Sequence, residues 1–453
     1  MSGTDLSGPL PPAVRAAWDS AALRWPTGEG MPQPRWVTRG FPDGPTEAWA
    51  ALAEVIAARA ESGPISIYVH LPFCETRCPF CDCHATVAPR TSRDAVDHYL
   101  ETLAREIVLW ASLPGIRTRR VTTVHFGGGT PLAVGADAFE GVASAIRDAF
   151  GTHARTEWAL ESTSRLLDEK HLDLLSHLDF TRVHVGVQTL DPALRRTLGR
   201  REPPRRVIER IEACLERGWV VSADLLYGLP GQTAEALRAD IARLTAAGVH
   251  GVSLYHLNAG PYNRAFMERH GLGARDEARL AADLALLAGG AALLETLGYR
   301  RNHLTHFARP RDGNLYSRHA LRGEDLLALG SSADGVFGDY FYRHVEVERY
   351  VDASPYEAAG ARHPPLAGGG RFTAAEARAR PLVTQLMAAE VRPHTLDERS
   401  RDYAAALVEA GLLRPADDGP VGQSNGPLWT LTDTGSWFAG AIAAELWDLY
   451  VSC

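Results

Sequence analysis

Short apolar runs with strand character alternate with amphipathic stretches along most of the chain. The apolar runs predict strands at Ile65–Leu71, Val121–Phe126, Glu157–Glu161, Arg182–Gln188, Val220–Tyr227 and Gly251–Leu257. The amphipathic stretches predict helices near Arg93–Ala111, Ala136–Phe150, Asp168–Leu178, Pro204–Arg217, Thr233–Ala247 and Ala274–Leu297. Consecutive β-then-α units imply a parallel sheet with right-handed crossovers, and six such units are fewer than a full barrel requires. The predicted fold is therefore α/β, a partial (β/α)6 TIM-like barrel.

The segments outside this alternation predict smaller appendages. Residues 1–62 are rich in Pro, Trp and Arg, with a helical stretch near Thr46–Glu61, and are taken as an N-terminal extension. Residues 63–300 form the predicted barrel. The alternation stops after Tyr299, so residues 301–362 are predicted to be a loop-rich accessory segment that completes the active site.

Residues 363–453 predict a small, mostly helical C-terminal domain. Thr373 and Glu376 have the spacing of a capping box that opens a helix. The other expected features are a Gly/Pro-rich hinge at His363–Gly370, a helix at about Arg399–Ala410, a Gly-turn wing at Asp417–Pro427, a strand at Leu428–Leu431 and a final helix. This order resembles a winged-helix module. Because no basic recognition helix is present, DNA binding is disfavoured.

Composition narrows the class of protein. The chain has 453 residues, of which 45% are hydrophobic and 23% charged, which is typical of globular proteins. The net charge of −8 provides no basic field for nucleic acid or an anionic membrane. Neither a membrane-spanning apolar run nor a signal-peptide pattern is apparent. We therefore expect a cytoplasmic protein with neither a nucleic acid nor a membrane as partner.

Clustered cysteines point to metal chemistry. Cys74, Cys78, Cys81 and Cys83 fall within ten residues, directly after the first predicted strand. Active sites of parallel α/β proteins assemble at the carboxyl ends of strands. Structural zinc normally takes four ligands from two separated pairs, and no second pair exists here. The spacing therefore favours an iron–sulfur cluster on three cysteines, with zinc as the alternative and Cys83 as a pocket residue.

Two further features have alternative interpretations. The glycines Gly127–Gly129 allow backbone to approach a ligand closely, or they serve only a tight strand-to-helix turn. Glu161 is a carboxylate at a strand end, suited to a cationic ligand or to solvent alone.

The ordered motifs resemble those of the radical S-adenosylmethionine (SAM) superfamily. The segment from Tyr68 to Cys81 reads YVHLPFCETRCPFC and contains the CX3CX2C signature of that superfamily. Similar motifs follow at expected strand ends: HFGGGTP at 125–131, HVGVQ at 184–188 and DLLYGLPGQT at 224–233. The sequences CDCH at 81–84 and HFARP at 306–310 are similar to the branch of oxygen-independent coproporphyrinogen III oxidases.

The resemblance implies two cofactors and a set of residues that hold them. Cys74, Cys78 and Cys81 would ligate a 4Fe–4S cluster and serve as the catalytic cysteines. Residues expected to bind SAM, including a second SAM molecule, are Tyr68, Phe80, Gly128, Gly129, Thr130, Glu161, Gln188, Arg200, Asp224, Asn258 and Asp334. Of these, Gly128 and Glu161 would contact the first SAM, and Gln188, Arg200 and Asp224 the second. An electron donor such as flavodoxin or ferredoxin is the expected protein partner.

Departures from the oxidase pattern favour a different substrate. The oxidases carry an Arg-Tyr-Thr-Ser-Tyr-Pro-Thr-like stretch before the barrel, where this chain has PRWVTRGFP at 34–42. They also have small or apolar residues where this chain has Asn258 and Asp334. We therefore expect a class C radical SAM methyltransferase that acts on an sp² carbon of a small-molecule or peptide-derived heteroaromatic natural product. The alternatives are coproporphyrinogen oxidase-type decarboxylation, a haem-opening enzyme and a haem-binding chaperone.

Overall fold

The computed structural model describes residues 40–83, 85–87, 93–272, 277–352, 363–416 and 427–451. Most of the predicted N-terminal extension lies outside these residues, as do His84 and nearly all of the predicted wing at Asp417–Pro427. The boundaries of the four predicted domains stay predictions.

The described strands confirm all six that the hydrophobic pattern predicted and add others. They are β1 (Ile65–Leu71), β2 (Phe73–Cys74), β3 (Thr86–Val87), β4 (Val121–Gly128), β5 (Glu157–Ser162), β6 (Arg182–Gln188), β7 (Val220–Tyr227), β8 (Gly251–His256), β9 (Arg300–Arg301), β10 (His306–Ala308), β11 (Leu326–Leu329), β12 (Asp334–Phe337), β13 (Tyr340–His344), β14 (Leu366–Arg371), β15 (Glu390–Val391), β16 (Leu413–Pro415) and β17 (Trp429–Leu431).

The described α-helices match the predicted ones closely within the barrel. They are α1 (Pro45–Ala58), α2 (Arg93–Ala111), α3 (Ala136–Ala149), α4 (Glu169–His177), α5 (Pro192–Thr197), α6 (Pro204–Glu216), α7 (Ala234–Ala247), α8 (Arg264–Arg269), α9 (Glu277–Thr296), α10 (Leu315–Leu321), α11 (Val347–Val351), α12 (Ala374–Met387), α13 (Glu398–Glu409), α14 (Asp433–Trp437) and α15 (Ala439–Val451).

The barrel wall is a parallel sheet in the order β1-β4-β5-β6-β7-β8. Its strands are mostly buried, because helices cover the outer face and side chains fill the inside. The register aligns Glu161 with His184 and Asp224 with Ser253 across neighbouring strands. Polar side chains from several strands therefore meet at similar heights inside the barrel.

The same sheet continues beyond the six parallel strands on both sides. β11 pairs parallel to β1, and β12, β13 and β14 follow as antiparallel strands. On the other side, β10 and β9 extend the sheet antiparallel to β8. The expectations of a loop-rich stretch after Tyr299 and of a hinge at His363–Gly370 were therefore wrong. The added strands are short, so they leave little alternation of apolar and polar residues in the sequence. In β14 the glycines at 368–370 also replace apolar side chains and pack directly against aromatic rings and backbone.

The short helix α10 packs against β1 and β4. It brings His319 to the Ser66 and Thr122 hydroxyls, at 3.1 and 2.9 Å from its Nδ1. One turn earlier, Tyr316 stacks on Tyr68 with ring centroids 5.5 Å apart. The segment after β10 therefore places two ring side chains against the first two strands of the barrel wall.

The C-terminal residues form helices around a small antiparallel sheet in the order β15-β17-β16. The predicted capping box is present: Thr373 accepts from the Glu376 N–H at 3.2 Å, and Glu376 accepts from the Thr373 N–H at 2.7 Å. The Arg301 guanidinium contacts both Asp433 and Ser436, which attaches this unit to the barrel. Among the described helices, none has the length and apolar character needed to cross a bilayer.

Candidate active site

The loop after β1 carries the three cysteines of the CX3CX2C motif. β2 places Cys74 beside Thr130, whose hydroxyl lies 3.6 Å from the cysteine Sγ. The Cys81 Sγ accepts a 3.4 Å hydrogen bond from the Cys83 N–H. Cys74, Cys78 and Cys81 are partly exposed and unbridged. The loop therefore offers three free thiols at the carboxyl end of the barrel.

The surroundings of these thiols have opposing effects on ionisation. Burial raises the pKa of Cys74 and of Cys78, and the neighbouring cysteines raise it further. The hydrogen bond from Cys83 lowers the pKa of Cys81. The charge of the Arg200 guanidinium lowers the pKa of all three. Because iron binds thiolate rather than thiol, Arg200 favours the ligating form.

Three free cysteine thiols on one loop are a donor set suited to an iron–sulfur cluster, because iron in such clusters is bound by thiolate sulfur. The Arg200 charge also complements the negative charge of a thiolate-ligated cluster. The donor set therefore fits 4Fe–4S.

The glycines at the end of β4 hold the backbone close to two functional groups. A Cβ on Gly127 would lie 2.9 Å from the Glu161 carboxylate, and one on Gly128 would lie 2.7 Å from the His70 ring. Gly128 also has a φ of +109°, in the left-handed region that side chains disfavour. The Gly129 N–H donates to the Leu71 carbonyl at 2.9 Å, which joins this turn to the start of the cysteine loop.

Glu161 lies at the end of β5, where its neighbours keep its side chain ionised and fix its orientation. It accepts a 3.0 Å hydrogen bond from His125 Nε2. Burial raises its pKa, but the bond and charge of His125, the charge of His70 and the Gly128 N–H outweigh that effect, so the net pKa is lowered. Glu161 is therefore held as a carboxylate, although 44% of its side chain is exposed toward the cavity.

A polar cavity of about 190 Å³ opens beside Glu161 inside the barrel. Its lining includes Asp224 and two aromatic hydroxyl groups, and four histidines surround it. The lining residues are His125, Glu161, His184, Asp224, Ser253, Tyr255, His303, His306, Asn314, Tyr316 and Ser317. Burial lowers the pKa of His303 to about 4 and that of His184 well below its usual range. Glu161 is therefore the lining carboxyl whose lowered pKa keeps it anionic, which suits a cationic ligand.

The floor of the cavity is a buried ion pair. Arg182 donates to Asp312 at 2.5 Å and to His184 Nε2 at 2.8 Å. Asp312 also accepts from Ser222 at 2.7 Å and lies 2.9 Å from His306 Nε2. Both members of the pair are almost fully buried. This network orients two cavity histidines from below.

Asp224 faces the same cavity from β7. Burial raises its pKa to about 7, and a hydrogen bond with Ser253 opposes that rise. Its Oδ1 is buried and has no hydrogen-bond partner among the described residues. One carboxylate oxygen is therefore available to a ligand.

Arg200 and Gln188 lie between this cavity and the cysteine loop. The Arg200 guanidinium lies 5.7 Å from the centroid of the Phe80 ring, and its buried Nε has no hydrogen-bond partner within the described ranges. Gln188 ends β6 at a register shift with a φ of +68°. Its amide nitrogen lies so close to Gly186 that a Cβ there would come within 2.9 Å of it. This irregularity alters the strand end that carries Gln188, and the Arg200 guanidinium also lies close to Gly186 there.

Of the residues predicted to bind SAM, only Glu161 and Asp224 line the cavity, and Asn258 and Asp334 make polar contacts of their own. The Asn258 carboxamide is 2.7 Å from His256 Nδ1, and Asp334 receives two hydrogen bonds from Arg343. Neither belongs to the cavity lining. Asp334 nevertheless lies near enough to Tyr316 for its charge to raise the pKa of that phenol. Their roles in SAM binding stay predictions.

Several lining residues were not predicted from sequence. His125, His184 and His306 lie in the motifs but are not among the predicted ligand-binding residues, and neither is Tyr316. The signal available was a polar residue at an inward position of an otherwise apolar strand. Tyr316 carries no such signal, because it belongs to a helix of seven residues in a segment interpreted as loop.

Comparisons with known proteins agree with these motifs. The profile of the Radical SAM superfamily matches residues 68–244. The chain is 30% identical over 292 residues to an anaerobilin synthase of Escherichia coli O157:H7, covering 63% of this chain and 64% of that protein. It is 31% identical over 309 residues to an oxygen-independent coproporphyrinogen III oxidase of Cereibacter sphaeroides, covering 64% and 66%. The matches thus span slightly less than two thirds of these relatives.

A solved structure shares the whole architecture. Coproporphyrinogen III oxidase from Escherichia coli superposes with a TM-score of 0.73 at 22% identity, covering 94% of this chain and all of that one. At this identity the likeness shows the fold alone. The profile match, the relatives and the cysteine loop together carry the assignment and its cofactors, a 4Fe–4S cluster and SAM. This chain therefore belongs to the radical SAM superfamily, in the branch that resembles oxygen-independent coproporphyrinogen III oxidase.

Proposed function

We propose that this enzyme cleaves SAM reductively and directs the resulting radical to a carbon–hydrogen bond at the mouth of the barrel. The single observation that carries the proposal is the meeting of the Gly127–Gly129 turn with both Glu161 and the cysteine loop. When bound, the cluster supplies one electron, which splits SAM into methionine and a 5′-deoxyadenosyl radical. All other steps depend on residues that bind, orient or shield.

Glu161 is suited to hold the ammonium group or ribose of SAM. Its lowered pKa keeps it anionic, and His125 fixes its orientation through the 3.0 Å bond. The backbone at Gly127–Gly129 has no side chains, so the same ligand can approach it closely. Tyr68 lies beside this carboxylate, whose charge contributes to raising the pKa of Tyr68, after the effect of burial. Positioning and exclusion of water are the protein's contribution to such chemistry.

The substrate is proposed from the comparisons, which support oxidase-type chemistry better than the methyl transfer expected from sequence. By analogy with the coproporphyrinogen oxidases, hydrogen is abstracted from a carboxylate-bearing side chain of a tetrapyrrole-like substrate. The substrate radical then loses carbon dioxide and transfers one electron to an external one-electron acceptor, which leaves a carbon–carbon double bond. This step is proposed by analogy with the relatives, because a shared fold alone does not indicate a shared reaction.

Methyl transfer is the second candidate, because one set of observations favours it. Arg200 and Asp224 each present a buried polar atom without a described partner, as binding groups for a second SAM would. Asn258 and Asp334 are polar where the oxidases have small or apolar residues. In this alternative a second SAM supplies the methyl group to an sp² carbon. A flavodoxin- or ferredoxin-like protein is the proposed electron donor in either case.

One experiment distinguishes the two reactions. The reconstituted enzyme is given reductant, SAM carrying a CD₃ group, and either coproporphyrinogen III or a thiazole- or indole-containing substrate. Decarboxylated tetrapyrrole with undeuterated 5′-deoxyadenosine supports the first proposal. Deuterated 5′-deoxyadenosine with S-adenosylhomocysteine supports methyl transfer. Absence of 5′-deoxyadenosine under all conditions contradicts both.

A further inference from the structure

The loop after β8 is attached to the cysteine loop by one buried carboxamide. Asn263 is 1% exposed and ends this loop, immediately before α8. Its Nδ2 donates to the Phe80 carbonyl at 2.9 Å and to the Asn258 carbonyl at 2.9 Å. Its Oδ1 accepts from the Gly260 N–H at 2.9 Å. A single side chain thus joins the backbone between Cys78 and Cys81 to two points of the neighbouring loop.

Further contacts nearer the surface also join the loop after β8 to the cysteine loop; we call this set of contacts the junction. The Tyr262 N–H donates to the Asp82 carboxylate at 3.0 Å, and the Arg77 guanidinium lies 4.7 Å from the centroid of the Tyr262 ring. A Cβ on Gly260 would lie 1.7 Å from the Asp82 carboxylate, so the two loops pack without intervening space. The guanidinium of Arg77 also donates to the Ala85 carbonyl at 2.6 Å. Residues of the loop after β8, which lie outside the CX3CX2C motif, therefore fix the position of the cysteine loop.

Beneath the junction is a separate apolar cluster. Phe80 packs there with buried residues of α5, of α8 and of the loops at the carboxyl ends of β7 and β8, and Cys78 lies against it. The cluster consists of Phe80, Leu194, Leu198, Leu226, Leu229, Leu257, Phe266 and Met267. The start of α8 is fixed by Asn263 itself, whose carbonyl accepts from the Phe266 and Met267 N–H groups at 2.9 and 3.0 Å. Asn263 thus connects the apolar cluster, α8 and the cysteine loop.

We propose that Asn263 is a positioning residue that couples the loop carrying Asn258 to the geometry of the cluster loop. Only a carboxamide can donate to two carbonyl groups and accept an N–H at once, so neither Asp nor Ala reproduces its bonds. A ligand that orders the loop at Asn258 thereby also orders the backbone at Phe80. The inference rests on the proposed ligation by Cys74, Cys78 and Cys81.

The test compares iron retention in reconstituted Asn263→Ala and wild-type protein, by release to a ferrous chelator, with and without SAM. Loss of the two donor bonds is expected to speed release at least about tenfold. SAM should slow release from the wild type and do so much less in the variant. The control is Ser400→Ala, which removes a 2.6 Å buried hydrogen bond to Tyr450 in the C-terminal module. It should release iron at the wild-type rate.

A second variant keeps the test informative if Asn263→Ala does not fold. Asp82→Ala, at an exposed residue, removes only the acceptor of the Tyr262 N–H and should change retention in the same direction by a smaller factor. Wild-type release rates with full SAM protection in both variants would overturn the coupling. Failure of the wild-type protein itself to hold iron would instead contradict the ligation by the three cysteines, so the two failures are distinguishable.

Discussion

Replacing Glu161 by Gln tests how SAM is recognised. The carboxamide has the size of the carboxylate, and its oxygen can still accept the 3.0 Å bond from His125 Nε2. The Gly127 turn, which leaves room for this side chain and no more, is also preserved. The substitution therefore removes the negative charge and little else.

The expected loss follows from the interaction removed. A hydrogen bond to a charged group contributes about 2 kcal/mol, which corresponds to about thirtyfold in dissociation constant. We expect SAM affinity to fall by that factor in Glu161→Gln, while iron and sulfide content stay at the wild-type level. The lowered pKa of Glu161 means that the carboxylate is fully formed at neutral pH, so this loss should be present throughout the neutral range.

The measurement is equilibrium binding of SAM to the reconstituted, unreduced protein. The matched control is Glu157→Gln on the same strand, because Glu157 lies at the opposite end, near Arg182. It should bind SAM with wild-type affinity. If Glu161→Gln bound SAM within about twofold of the wild type, the proposed role of this carboxylate would be refuted.

Three further predictions concern Gly127, Asp224 and the buried ion pair of Arg182 with Asp312. Gly127→Ala should weaken SAM binding at least about tenfold without loss of iron, since its Cβ meets the Glu161 carboxylate; unchanged binding would contradict the close approach. Asp224→Asn should raise the Tm of the SAM-free protein at high pH by about 2 °C or more. Burial raises the pKa of Asp224 to about 7, whereas Asp in the unfolded chain ionises near about 4, so stability is lost as pH rises from about 4 to about 7 and stays constant above that. The gain should therefore be full above pH 7 and shrink in acid, and a gain that grew in acid would refute the sign. Arg182→Met should lower the free energy of unfolding by about 3–5 kcal/mol in denaturant titrations by leaving the Asp312 charge buried and unpaired, and a loss under about 1 kcal/mol would contradict that pairing.

The hydrophobic pattern was sufficient for the barrel and insufficient for its edges. Ile65–Leu71 and Val220–Tyr227 have the observed bounds because burial on both faces leaves a nearly continuous apolar signal. Arg182–Gln188 has the observed bounds because its valines alternate with polar residues or glycine. β9 has two residues and β14 contains three glycines, so pairing with neighbours rather than side-chain pattern defines them.

The parts of the candidate site that depend on fixed local spacing in the sequence were predictable. The cysteine spacing and the Gly127–Gly129 turn identified the cofactor end of the barrel. The cavity depends instead on strand register, which brings His184 level with Glu161 across β5 and β6. Tyr316 reaches it from α10, about 250 residues later than Tyr68 in the sequence, and no local pattern indicates that stacking.

The central claim is that Cys74, Cys78 and Cys81 hold the cluster that cleaves SAM. The most direct measurement is anaerobic reconstitution of the wild type and of the triple Cys→Ala variant, followed by electron paramagnetic resonance of the reduced proteins and quantification of 5′-deoxyadenosine. Cys83→Ala serves as the control within the same loop. We expect a reduced-cluster signal and 5′-deoxyadenosine from the wild type and the control, and neither from the triple variant. A triple variant that still showed the signal and still cleaved SAM would contradict it.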